Sequence, residues 1–108
     1  MEQFELESFC TYFDVFVLLI KRIMDHFGEK IEHVKSDIRK MLEDPEQLPW
    51  YMSVRQLNMT IDELNKMNQL RDKNRFVPYY PKGIADSWAQ EDRLGEELLE
   101  ILDAYMKF

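Results

Sequence analysis

The sequence predicts an all-α protein, a bundle of four or five helices forming one domain over residues 1–108. Three observations predict it. Apolar residues recur at spacings of three and four almost throughout, which is the period of an amphipathic helix and not the alternation of a strand. With only three glycines and four prolines, the chain lacks the turn residues an all-β protein needs. At 108 residues and 45% hydrophobic content, one modest core can form without disulfides or metals.

The first apolar stripe is Phe9, Tyr12, Phe13, Phe16, Ile20, Ile23, Met24 and Phe27, widened by Val15, Val17, Leu18 and Leu19. So little polar face remains that it reads as a central, buried helix. The same phase continues through Ile31, Val34, Ile38, Met41 and Leu42, with Gly28 between the halves. That glycine either ends one helix or sits inside a longer one at a cost of about 1 kcal/mol. The unbroken phase leans towards one long helix and leaves the break open. Asp44, Pro45 and Gln47 predict a capped turn, which Pro49 cuts short. A second stripe, Trp50, Val54, Leu57, Ile61, Leu64 and Met67, starts the next helix near Trp50. Thr60 and Glu63 imitate a capping pair inside it, but the stripe runs on.

Beyond that helix, Asn74 is expected to take a left-handed turn. The prolines at 78 and 81 predict extended backbone from Val77 to Pro81. The last helix is expected to begin between Gly83 and Ser87, with Ser87 and Gln90 as its capping pair. Its apolar side is Ile84, Trp88, Leu94, Leu98, Ile101, Leu102 and Tyr105, and Gly95 with the preceding Gln-Glu-Asp marks where it can break in two.

The net charge is −7, and the acid gathers at the two ends of the chain. Residues 1–20 carry four acids and no base, and residues 84–108 carry seven acids against two bases. Such a surface repels phosphate backbones and attracts basic partners. Acids at Glu2, Glu5 and Glu7 stand where a secretory signal carries positive charge. No apolar run approaches the roughly 20 residues of a membrane span. The single cysteine suits a reducing compartment. A cytoplasmic protein is expected, binding neither membrane nor nucleic acid.

Catalytic chemistry has few carriers. None of Cys10, Ser8, Ser36, Ser53 and Ser87 forms a nucleophile motif with His26 or His33. Cys10, among aromatics, reads as a small core residue. His26, Glu29 and His33 can share a helix face, but a carboxylate-bridged di-metal bundle needs Glu-x-x-His from two helices. They are better read as solvent-exposed polar residues. Lys30, Lys35, Arg39 and Lys40 alternate with Glu29, Glu32 and Asp37, a solvated face with helical ion pairs. No enzyme activity, cofactor or metal is expected.

Two features point to a protein partner. Asp92, Glu96, Glu100 and Asp103 follow one another at helical spacing with only Arg93 and Lys107 nearby. Like charges so placed cost an isolated helix about 0.2–0.5 kcal/mol per pair, a cost that a basic partner would remove. Tyr79 and Tyr80 are held between prolines. Each can serve as a rigid binding anchor or cap the core with its polar tip in water. Trp88, on the apolar stripe, reads as core. A charge-mimicking inhibitor of a nuclease, encoded by a phage, is the alternative to a binder of a basic protein.

From Trp50 onward the chain resembles small all-helical immunity proteins that neutralise toxins of bacterial type VI secretion, the NAD(P)⁺-glycohydrolase type in particular. The likeness lies in "SVRQLNMTIDEL", in the charged loop "LRDKNRF" and in "KGIADSWAQEDRLGEELLEILDAY". It implies inhibition by occluding a toxin's active site with acidic and aromatic side chains, with Asp86, Glu91 and Asp92 as contact residues.

Overall fold

The computed structural model of the protein describes residues 25–108. The apolar stripe from Phe9 to Met24, Cys10, and the acids Glu2, Glu5 and Glu7 lie outside the described residues. Among the described residues there are four α-helices and no strand: α1 (His26–Leu42), α2 (Val54–Leu70), α3 (Tyr80–Ser87) and α4 (Arg93–Met106), with a 3-10 turn at Pro45–Gln47 between α1 and α2. The all-α class holds.

The break that the apolar phase left open falls at Asp25, ahead of Gly28. Asp25 leaves the helical region (φ −84°, ψ 68°) and its carboxylate accepts the Gly28 N–H at 3.1 Å. Asp25 is therefore an N-cap, and Gly28 sits in the first turn. A Cβ there would lie 2.5 Å from Asp25 Oδ2, so glycine lets the capping carboxylate fold over the backbone. Ile31, Val34 and Ile38 are fully buried, as their spacing predicts. Lys35 shares that face. It is not part of a solvated face: its stem is buried, and its Nζ reaches Glu32 at 2.9 Å. Spacings of four from Ile31 and three to Ile38 placed it on the core side, and a long stem can snorkel from there.

The turn after α1 forms, but Asp44 gives it no side-chain cap. The next helix begins at Val54 rather than near Trp50. Ser53 caps it, accepting the Gln56 N–H at 3.0 Å. Leu57, Leu64 and Met67 are fully buried, and Thr60 joins them by donating its hydroxyl to the Gln56 carbonyl at 2.9 Å. The helix ends on Arg71 in the left-handed region (φ 46°, ψ 44°). Arg71, not Asn74, makes the left-handed turn.

Val77 to Pro81 is not extended throughout. Tyr79 is αR and α3 starts at Tyr80, with Pro81 in the first turn, where a missing N–H is harmless. The Glu63 carboxylate on α2 accepts the N–H groups of both Tyr79 and Tyr80 (3.1 Å to the latter), so one helix caps the next. Ser87 is the last residue of α3, not an N-cap. Trp88 is extended (φ −81°, ψ 149°), and Asp92 caps α4 by accepting the Gly95 N–H at 2.9 Å. The predicted last helix is thus two helices, parted at Trp88 to Asp92. Gly95 permits the tight corner, since a Cβ would stand 3.2 Å from Trp88 Cε3.

α1 packs against α2 and α4, and α3 closes the ring by packing against the same two. Ile31, Leu64, Leu98 and Ile101 meet at the centre with no solvent exposure. Tyr105, also fully buried, sets its hydroxyl between the carbonyls of Asp72 (2.8 Å) and Phe76 (2.6 Å), pinning the loop from α2 to α3.

Candidate protein-binding surface

The two tyrosines part company. Tyr80 is 5% exposed and donates its hydroxyl to the Leu98 carbonyl at 2.8 Å. Burial first, and Glu63 second, push this hydroxyl well above the usual tyrosine range. Tyr80 is a core residue and offers no partner contact. Tyr79 is 78% exposed beside Met59, itself half exposed, and remains available.

The acidic stripe divides in the same way. Asp92 is committed internally: Oδ1 takes the Gly95 N–H, and Oδ2 accepts the Tyr51 hydroxyl at 2.5 Å. The Asp92 carboxylate pushes the Tyr51 hydroxyl above its ordinary value. An N-cap rewards a carboxylate in the absence of any partner, so the cap alone accounts for Asp92. Glu100 pairs with Lys30 of α1, and Asp103 with Lys107 at 3.1 Å. Exposed pairs of this kind contribute about 0–1 kcal/mol, so both carboxylates can exchange partners. Asp86, Glu91 and Glu96 are exposed and have no ion-pair partner among the described residues.

Of these three, Glu96 lines a hollow of about 250 Å³ where α3 turns into α4, together with the capping Asp92. Ile84, Ala85, Trp88 and Leu99 supply apolar wall, and Glu96 stands in the lining. Trp88 is a core residue, as its place on the stripe predicts, and its buried Nε1 has no hydrogen-bond partner. Tyr51 packs on Trp88 at 6.1 Å between ring centroids, and Trp50 stands edge-on to Tyr51 at 5.5 Å. Trp50 itself is 90% exposed. An aromatic ladder therefore runs from Trp88 in the core through Tyr51 to Trp50 in solvent. No protein-family model, no curated protein and no solved structure matches this chain.

Sequence reasoning missed Trp50, because position 50 fits the apolar stripe of α2. The contrary signal was Pro49 together with Ser53, a better N-cap than anything nearer Trp50. The residues weighed for metal binding, His26, Glu29 and His33, are all exposed, and His33 Nε2 lies 3.3 Å from Asp37 Oδ2 one turn on. Among the described residues no helix is long and apolar enough to cross a membrane.

Proposed function

We propose that the protein is a non-catalytic binder of a basic protein, acting as an immunity protein that occludes the active site of a cognate bacterial toxin. The observation that carries this reading is the hollow between α3 and α4. Its apolar wall suits the methylene stem of a lysine or arginine, and Glu96 in its lining suits the charged head. Trp50, almost wholly exposed, provides the kind of aromatic anchor around which interface energy concentrates. Tyr79, Glu100 and Asp103 extend the surface, and the resemblance in sequence to immunity proteins points the same way.

The test is rescue. The product of the neighbouring gene, expressed alone in bacterial cells, is expected to arrest growth, and co-expression of this protein to restore it. The double variant Glu91→Lys/Glu96→Lys is expected to lose the rescue while folding normally. Full rescue by that variant would remove the acidic corner from the interface. A harmless neighbour, or competition for the partner by DNA, would favour the charge-mimicking alternative.

A further inference from the structure

On the opposite side of the α4 N-terminus, the cleft between α1 and α4 holds a second group of side chains. His33 and Asp37 stand one turn apart on α1, with His33 Nε2 3.3 Å from Asp37 Oδ2. Glu97 approaches from α4, and one donor atom from each of the three lies within 4.8 Å of the other two. We propose that His33, Asp37 and Glu97 bind a first-row divalent metal ion of the zinc class, which ties α1 to α4.

Geometry supports it first. Donors bound tetrahedrally at about 2.1 Å stand roughly 3.4 Å apart, and His33 and Asp37 are already at that separation. Glu97 needs only a small side-chain movement to complete a three-residue face. Donor chemistry supports it second. An imidazole with two carboxylates suits zinc and its neighbours, whereas calcium asks for about six to eight oxygens. Third, the site is partly prepared. The Glu97 side chain is only 19% exposed, and the cleft of about 510 Å³ leaves room for water in the open coordination position.

Of the two cations lining the cleft, Lys40 and Arg93, only Arg93 is paired with a donor of the site. Arg93 lies 3.3 Å from Glu97 but is 89% exposed, so its departure costs little. Two carboxylates held this close repel one another, and a divalent ion relieves both where Arg93 relieves one. The site uses none of the partner-facing residues, so it stands or falls apart from the immunity reading.

The test is zinc titration of the untagged full-length protein, by calorimetry and by competition with a chromophoric chelator. One ion per chain is expected to bind with micromolar affinity, and zinc to raise the melting temperature. His33→Ala and Glu97→Gln are each expected to weaken binding by more than about tenfold and to abolish the thermal shift. His26→Ala, on the same helix outside the cluster, is expected to change neither. Absence of binding at micromolar free zinc would overturn the proposal. So would undiminished binding in the triple variant His33→Ala/Asp37→Asn/Glu97→Gln, or an equal loss in His26→Ala.

Discussion

At the residue scale Arg71 does more than any other side chain to join the ends of the described fold. Its guanidinium reaches Asp25 Oδ2 at 2.8 Å and Asn68 Oδ1 at 2.7 Å, and lies 5.2 Å from the Phe27 ring centre and 5.7 Å from that of Phe108. Its backbone holds a left-handed conformation, which costs a non-glycine residue about 1 kcal/mol or more. Arg71→Ala keeps that strain and loses every contact, so a destabilisation of about 2 kcal/mol is expected in urea unfolding. Arg71→Gly relieves the strain and should recover roughly 1 kcal/mol of it. Equal stabilities would show that the strain is not there. The same pair sets an acid limb. The Arg71 hydrogen bond first, and the Gly28 N–H second, hold the Asp25 carboxyl below its ordinary value. A depressed carboxyl stabilises the fold above its unfolded pKa of about 3.9, and that share is lost as pH falls through the lower folded value. Arg71→Ala should flatten this limb. At the other extreme the raised Tyr80 hydroxyl stabilises fully below about pH 10, and the contribution drains away as pH rises beyond it.

At the scale of the element, each helix start has its own carboxylate or hydroxyl. Asp25, Ser53 and Asp92 cap α1, α2 and α4, and Glu63 caps α3 from a neighbouring helix. Asp92→Ala removes a cap and strands the Tyr51 hydroxyl, so a loss of about 1–2 kcal/mol is expected. Glu91→Ala, one residue earlier, should stay within about 0.5 kcal/mol. Gly28→Ala poses a sharper question. Helix propensity alone favours alanine by up to about 1 kcal/mol, yet the new Cβ would sit 2.5 Å from Asp25 Oδ2 and 3.1 Å from an Arg71 nitrogen. The capping carboxylate must move, and a net destabilisation of about 1 kcal/mol is expected. A more stable alanine variant would mean that the cap is dispensable. The same elements show what a sequence can and cannot disclose. The stripes of α1, α2 and α4 were legible because burial imposes their period. The cap of α4 was not, since Ser87 and Asp92 are equally good local candidates. Burial of Trp88 and the close approach at Gly95 decide between them. Glu63 capping α3 from sixteen residues away leaves no local pattern at all. Likewise Tyr79 and Tyr80 are the same residue type between the same two prolines, and the packing of α3 on α4 sends one inward.

For the whole molecule the question is whether charge and aromatic surface act together. Trp50 stands edge-on to Tyr51 in the aromatic ladder and is almost wholly exposed. Trp50→Ala should therefore leave thermal stability within about 0.5 kcal/mol of the parent. The same change is expected to weaken partner binding by about 2 kcal/mol or more, mostly through faster dissociation, as for a central aromatic anchor. Glu91→Lys and Glu96→Lys act by another route. They alter the field that brings a basic partner in, so the association rate should fall, and the fall should shrink as salt rises and the Debye length contracts to about 3 Å at molar strength. The Trp50→Ala deficit, being apolar, should persist in that salt. Stopped-flow binding at low and high ionic strength separates the two. If all three variants show the same salt dependence, the aromatic ladder and the acidic corner do not belong to one interface, and Trp50 has a different role.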